Sequence, residues 1–251
     1  MPATTPILSV ITVCFNAGKT IERTIKSVIN QTCPGIEFII IDGASKDDTM
    51  EVIHRYREHI HHLVSEKDEG LYDAMNKGLQ MATGDYVFFL NADDEFYAPD
   101  TVEKIFQSKA DLDAYYGETM FMNDKGEEMG LRSKVTTQEV PEQLSWKSLR
   151  YGMVVSHQAF IIRRSFSVEY DTRYKLAADV DWMIRSLKNC KEICNTHLIF
   201  SKFRAGGKSK QQQKKGWMER YDVLSRQYGW LPNLLNHGVI VARYVFSKKR
   251  Y

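Results

Sequence analysis

Tyr86-Val-Phe-Phe-Leu90, followed at once by Asn91-Ala-Asp93-Asp94-Glu95, is the stretch on which the reading of this chain turns. An apolar run bounded by Gly84-Asp85 on one side and a polar cluster on the other predicts a central strand, covered on both faces of a sheet. Its carboxylates then emerge at the C-terminal edge of the strand, where open α/β sheets bind ligands. Hard oxygen donors in pairs suit Mg2+ or Mn2+ better than Zn2+, which prefers His and Cys. Taken alone the cluster has a second reading, because Asp and Asn after a strand are ordinary turn formers.

Upstream of this strand, strand and helix signals alternate. Ile7 to Val13 and Ile36 to Ile41 are β-branched and apolar, and between them Ile21, Ile25, Val28 and Ile29 recur at helical spacing. Ser45 followed by Asp48 has capping-box spacing and predicts a helix through Val52, Ile53, Tyr56 and Ile60. A short strand is predicted at His62 to Ser65, then a helix with Leu71, Met75, Leu79 and Ala82 on one face, and after the Tyr86 strand a helix opened by Asp100 and Glu103. Such repetition implies a parallel sheet wound by right-handed crossovers. Asn16, Asp42 and the Asn91 to Asp94 cluster each follow a strand, so the parallel arrangement would carry all of them to one edge.

Beyond about residue 110 the pattern loosens. Strands are predicted at Asp113 to Phe121, Met153 to Ile162 and Glu192 to Phe200, with a hairpin turn at Asn123-Asp-Lys-Gly126. A helix begins around Asp179 with Trp182, Ile184 and Leu187 apolar. Another starts near Gly216 with Trp217, Tyr221, Leu224 and Tyr228 on one stripe, and Pro232 begins a last one.

At 251 residues, 43% hydrophobic and 26% charged, the chain has the size and composition of one α/β domain, or of one domain with a small appendage. With 34 basic against 32 acidic residues there is no global basicity, and no nucleic-acid partner is expected. Ile7 to Phe15 reads as a strand rather than a signal peptide, since no Lys or Arg precedes it. Cys14, Cys33, Cys190 and Cys194 show no zinc-type pairing and are expected to be reduced and mostly buried. No window of 18 uninterrupted apolar residues predicts a membrane span. His54, His59, His61 and His62 lack partner ligands and read as solvated surface.

Four segments, in order, resemble the family 2 glycosyltransferases with the GT-A fold: Ser9-Val-Ile-Thr-Val-Cys-Phe-Asn16, Phe38-Ile-Ile-Ile-Asp-Gly-Ala-Ser-Lys-Asp-Asp-Thr49, Glu69-Gly-Leu-Tyr-Asp-Ala-Met-Asn-Lys-Gly78 and Gly84-Asp-Tyr-Val-Phe-Phe-Leu-Asn-Ala-Asp-Asp94. The resemblance covers roughly residues 7 to 210 and implies a Rossmann-like, mostly parallel sheet flanked by helices. Residues 1–110 would form the nucleotide-sugar half, 111–210 the acceptor half and 211–251 a C-terminal helical extension. It places Phe15, Asn16, Asp42, Gly43, Ser45, Asp73, Lys77, Asn91, Ala92, His157, Arg204 and Lys208 at the donor, with Asp93 and Asp94 as ligands of Mg2+ or Mn2+. Asn91 stands where the family's Asp-x-Asp motif has its first acid, which leaves open which Asp binds directly; an Asn can still offer a carbonyl oxygen.

Leu176-Ala-Ala-Asp-Val-Asp-Trp182 resembles the segment carrying the family's general base, with Asp179 at the matching position and Asp181 as competitor; both also suit a helix start. Phe203-Arg-Ala-Gly-Gly-Lys-Ser209 resembles a loop that closes over the diphosphate, or is a solvated basic linker. Each other candidate also has a plain structural reading. Asp42 with Gly43 and Ser45 can be turn chemistry, Asp73 and Lys77 a helix-surface pair, and His157 a satisfied structural group.

The resemblance implies an inverting, metal-dependent glycosyltransferase that moves a sugar from a UDP- or GDP-linked donor to a saccharide or lipid-linked saccharide acceptor in surface polysaccharide synthesis. Two rivals are a sugar nucleotidyltransferase, for which Cys14-Phe-Asn-Ala-Gly18 lacks the expected triphosphate loop, and a non-catalytic sugar-nucleotide-binding protein. The expected location is the cytoplasm. Trp230 to Tyr251, apolar with a Lys248-Lys-Arg250 end, would pack on its own domain, on a second subunit as a homodimer, or on an anionic membrane surface as peripheral contact.

Overall fold

The computed structural model describes residues 7–109, 111–123, 125–204 and 213–246. Nine strands form one sheet in the order β3-β2-β1-β4-β8-β6-β9-β5, with β7 beside β6. The strands are β1 (Leu8–Cys14), β2 (Ile36–Asp42), β3 (His62–Ser65), β4 (Tyr86–Phe89), β5 (Glu95–Phe96), β6 (Ala114–Met122), β7 (Glu128–Leu131), β8 (Phe160–Arg163) and β9 (Ile193–Arg204). The helices are α1 (Ile21–Ile29), α2 (Thr49–His54), α3 (Leu71–Met81), α4 (Thr101–Ser108), α5 (Arg132–Val135), α6 (Ala178–Leu187), α7 (Gln213–Tyr228) and α8 (Trp230–Phe246).

The first half follows the predicted alternation. β1 pairs in parallel with β2 and with β4, and β2 with β3. All seven residues of β1 are buried, as a strand with helices on both faces must be. Its one early polar side chain, Ser9, donates to buried Glu37 at 2.5 Å, and Glu37 also accepts from the Thr83 N–H and hydroxyl. Helix α3 lies so close over the sheet that a Cβ on Gly78 would stand 2.4 Å from Ile11 Cγ2. The sheet then turns mixed. β8 runs antiparallel to both β4 and β6 and joins the two halves, while β6 and β9 pair in parallel.

Several predicted boundaries move. Residues 153–159 are not strand: His157–Ala159 is a single 3-10 turn, and extended structure begins only at Phe160, where β4 and β6 are within pairing reach. Apolar content alone cannot separate these cases, since His157, Gln158 and Ala159 are buried without being strand. α2 ends at His54, and Arg57–His59 forms a separate 3-10 turn. Ser45 does not cap it, because Asp48 holds the N-cap position and the Ser45 side chain turns back to Asp42. On α3 the buried face is Tyr72, Ala74, Met75 and Gly78, with Leu71 exposed. Three of the four clustered histidines have partners in the protein, His59 only an exposed one in Glu58, 3.5 Å from its Nε2. His61 Nδ1 accepts the Phe38 N–H at 3.0 Å, and His62 Nε2 lies 3.3 Å from Glu37. The four cysteines are free, Cys14 buried and the others partly so.

Candidate active site

The register carries Cys14 and Asp42 to the same level, so the loops after β1 and β2 leave the sheet side by side. They are laced together. Asn16, with φ at 51°, donates its N–H to Ser45 Oγ at 2.8 Å and accepts the Lys46 N–H on Oδ1 at 2.9 Å. The Ala17 and Gly18 N–H groups go to Thr49 Oγ1 and Asp47 Oδ2. Asp42 is fully buried, and both of its oxygens are used: Oδ1 accepts from Ser45 Oγ, and Oδ2 from the Ser45 N–H at 3.0 Å and Ser65 Oγ at 2.6 Å. Burial and the neighbouring Asp42 push the Cys14 thiol far up, so it stays protonated. Phe15 stands half exposed over Gly43, where a Cβ would meet Asp68 Oδ2 at 2.5 Å and Phe15 Cδ2 at 3.4 Å. Phe15 and Asp68 thus pack closely on Gly43 at the sheet edge.

The third loop builds the carboxylate cluster. Asn91 to Asp94 close a turn through the Asp94 N–H to the Asn91 carbonyl at 3.0 Å, and Thr24 Oγ1 on α1 donates to the Asp94 carbonyl at 2.7 Å. Asp94 is fully buried; its Oδ2 accepts from Gln158 Nε2 at 2.8 Å, and its Oδ1 has no partner. The Asn91 Oδ1 atom is likewise buried and unpartnered. Burial, with Asp93 adding repulsion, holds the Asp94 carboxyl well above the usual carboxylate range. Burial also raises Asp93, against the pull of Arg204 and Arg23. Among the described residues no three His, Cys, Asp or Glu side chains converge as a metal cluster. Asp93 and the buried, unpartnered oxygens of Asp94 and Asn91 are nonetheless hard oxygen donors in one turn, a donor chemistry that fits Mg2+ or Mn2+. Buried Ala92 completes the turn.

Across the site, α6 begins at Ala178 and presents two acids with different fates. Asp179 Oδ1 accepts the Val180 N–H at 2.9 Å and the Tyr72 hydroxyl at 3.3 Å. Burial pushes its carboxyl up, and Arg220 opposes the shift. Asp181 is spent on structure, with Oδ2 at 2.6 Å from Arg185 Nε and Oδ1 accepting from Gln227 Nε2 at 2.8 Å. Tyr72 stacks on Tyr170, and Tyr170 packs on Phe89 at the end of β4, so Asp179 and the carboxylate loop are braced by one aromatic group.

His157 lies inside that group rather than at the carboxylates. It packs against Phe89 and Trp182, bonds Tyr170 Oη at 2.6 Å, and burial pushes its imidazole down to about 3, so it is neutral. The residue that reaches the cluster is its neighbour Gln158. Asp73 and Lys77 brace the loop after β3: Asp73 accepts the Glu69 N–H at 3.1 Å, and Lys77 pairs with Glu66 at 2.7 Å. That loop carries Asp68, which the edge rule for parallel strands could have nominated from Ser65-Glu-Lys-Asp68. For Gln158 the sequence holds no comparable signal. Arg204 stands within 4.0 Å of Glu95, and its charge bears on Asp93. Lys208, and with it most of the proposed phosphate loop, lies outside the described residues. A cavity of about 420 Å³ lined by Arg173, Tyr174, Lys215, Met218, Glu219, Asp222 and Arg226 contains none of these residues. Its Asp222 is already bonded by Tyr174 and Arg226.

The model of the family described as Glycosyl transferase family 2 matches residues 9–170. A PGL/p-HBAD biosynthesis glycosyltransferase of Mycobacterium bovis is 25% identical over 232 residues, covering 88% of this chain and 86% of its own. A putative teichuronic acid biosynthesis glycosyltransferase of Bacillus subtilis, TuaG, is 41% identical over 102 residues, or 39% of this chain and 40% of that one. The crystal structure of S. aureus TarS 1–349 in complex with UDP-GlcNAc has a TM-score of 0.70 at 17% identity, covering 96% of this chain and 74% of TarS 1–349. The mannosyltransferase PcManGT from Pyrobaculum calidifontis, in complex with GDP-Man and Mn2+, has a TM-score of 0.69 at 16% identity, with 97% and 74% covered. At such identities the structures speak for the shared GT-A fold. The family match, by contrast, runs from β1 through the carboxylate turn to Tyr170, more than half of the sequence, and on that ground the chain belongs to glycosyl transferase family 2.

Proposed function

We propose that this glycosyltransferase is a metal-dependent, inverting enzyme that moves a sugar from a UDP- or GDP-linked donor to a saccharide or lipid-linked saccharide acceptor in surface polysaccharide synthesis. The observation that carries the reading is the pair of buried, unpartnered oxygens, Asn91 Oδ1 and Asp94 Oδ1, beside Asp93 at the sheet edge. A GT-A neighbour bound to GDP-Man and Mn2+, another bound to UDP-GlcNAc, and a relative named for teichuronic acid biosynthesis support the same chemistry.

In this reading the exposed Phe15 ring, beside Gly43 and Asp68, receives the base, and Asp42 would reach the ribose hydroxyls by exchanging its bonds to Ser45 and Ser65. Asp93 and Asp94, with Asn91, would hold the ion, which when bound neutralises the charge that grows on the nucleoside diphosphate as it leaves. Asp179 takes the proton of the acceptor hydroxyl. The hydroxyl oxygen forms the new bond to the anomeric carbon, the bond to the diphosphate breaks, and attack from the face opposite the leaving group inverts the centre. A raised carboxyl suits that task, because a base with a higher proton affinity accepts more readily in the transition state. Tyr72, which donates to Asp179, fixes its direction.

The test is a thermal-shift screen of UDP- and GDP-sugars with Mn2+ and with chelator, followed by product analysis. A ligand at 100 times its dissociation constant stabilises by about 2.7 kcal/mol, which is readily seen. Stabilisation that needs Mn2+, and release of a nucleoside diphosphate, is the expected result. Release of pyrophosphate, or no nucleotide sugar that stabilises the protein in any condition, would overturn the proposal.

A further inference from the structure

Helix α8 is amphipathic the wrong way round for a helix that completes a core. Every exposed residue between 230 and 242 is apolar: Trp230, Leu231, Leu234, Leu235, Val239 and Val241 are 39–74% exposed, and the remaining exposed positions are Pro, Gly and Ala. Two polar side chains point inward. Asn233 is fully buried, with Nδ2 donating to the Tyr221 carbonyl at 3.0 Å and to Ser225 Oγ at 2.8 Å. His237 lies on the same side, 3.0 Å from Asn233 Oδ1 and with its ring edge-on to Tyr221. These bonds fix the rotation of α8, so the apolar face cannot turn inward without stranding buried polar groups.

We propose that this face of α8 docks the enzyme on an anionic lipid surface. Charge decides between the occupants. From Gly229 to Tyr251 the sequence contains no Asp or Glu, and it carries Arg243, Lys248, Lys249 and Arg250. A second copy of the chain would bring the same acid-free segment to the contact and double the uncompensated positive charge, whereas an anionic bilayer supplies both the apolar phase and the counter-charge. Seventeen residues at 1.5 Å each make α8 about 25 Å long, and no helix among the described residues is long and apolar enough to cross a membrane. The helix therefore lies along the surface.

The hairpin of α7 and α8 also ties the lipid surface to the reaction. α7 holds α6 through Gln227 to Asp181, two residues from Asp179. Docking would thus place the base-bearing helix beside the bilayer, which suits a lipid-linked acceptor. That last step rests on the proposed function; the docking itself does not.

The test is sedimentation of the full chain with vesicles of phosphatidylcholine alone and of equimolar phosphatidylcholine and phosphatidylglycerol, without donor, metal or acceptor, so that its failure leaves the transfer reading untouched. The comparison is the double variant Leu231→Gln, Leu235→Gln, whose sites are exposed and whose melting curve should match that of the parent. We expect binding to the anionic vesicles that weakens with added salt and is at least about tenfold weaker in the double variant. No binding to either vesicle, or binding unchanged by the two substitutions, overturns the proposal. A dimer that the same substitutions convert to monomer, with no vesicle binding, assigns the face to a second copy instead.

Discussion

Replacing Gln158 by Met tests whether the buried carboxylate cluster is a poised metal site. Met keeps the volume and removes the one side-chain donor to Asp94 among the described residues, the 2.8 Å bond from Nε2 to Oδ2, so that a fully buried carboxyl is left with only a backbone bond from Arg204. An unsatisfied buried acceptor costs about 1–3 kcal/mol. In a chain of 251 residues, at about 2–4 °C per kcal/mol, the metal-free variant should melt about 2–12 °C lower. The second consequence is specific to a metal site. The Gln158 bond favours the ionised form of Asp94, so its loss raises further a carboxyl already held high by burial. Each unit of that rise makes binding of a divalent ion about tenfold weaker at pH values below it, because the proton must leave first. Mn2+ affinity, measured by titration calorimetry or from the EPR signal of free Mn2+, should therefore be lower in Gln158→Met wherever the pH lies below the Asp94 values. The difference should shrink as the pH rises past both values. If the variant bound Mn2+ as the parent does at every pH, Asp94 would not be a ligand and the orphaned oxygens would need another explanation.

The two acids of α6 should separate cleanly. Asp179→Asn should lower transfer by about 10² to 10⁴ while donor binding persists, whereas Asp181→Asn should lower the melting temperature through the Arg185 and Gln227 contacts and leave turnover per folded molecule near that of the parent. Full turnover by Asp179→Asn would remove it as base. Because the Asp179 carboxyl is raised, it is protonated below that value and free to accept a proton above it, so the transfer rate should climb with pH through a midpoint above the usual carboxylate range and not fall. Asp94 should show the linked effect on stability. Its folded value lies above its unfolded one, so its favourable contribution is complete below about pH 3.9 and is lost as pH rises through the folded value. Without metal, Asp94→Asn should then gain on the parent in melting temperature as the pH rises towards neutral, and a constant difference across pH would contradict this. Gly117→Ala should destabilise the protein by about 1–3 kcal/mol or more, since a Cβ there would stand 2.3 Å from the Leu198 carbonyl oxygen at the shifted register of β6 and β9; an unchanged melting curve would show that the strands can separate at little cost.

The first half of the sheet was legible because its information is local. β-branched runs at β1 and β2, the Tyr86 strand and the polar residues that follow each of them fix a parallel sheet and its ligand edge whatever the rest of the chain does. The carboxylates, Asp42 and the paired loops lie where that logic places them. The resemblance put Asp179 ahead of Asp181, but local pattern alone could not, since both suit a helix start and differ in what packs against them. Nor could it separate His157 from Gln158, adjacent residues that the 3-10 turn sends to different neighbours, one into an aromatic core and the other onto Asp94. The apolar residues of the last helix were plain as a composition, but their direction was not, because Asn233 and His237 found partners on α7 from contacts that no spacing encodes. The chain's own periodicity thus determined the sheet and the edge that bears the chemistry. Only the tertiary structure decided which of two neighbouring polar groups is buried, paired or left facing out, because that choice depends on desolvation and on partners distant in sequence.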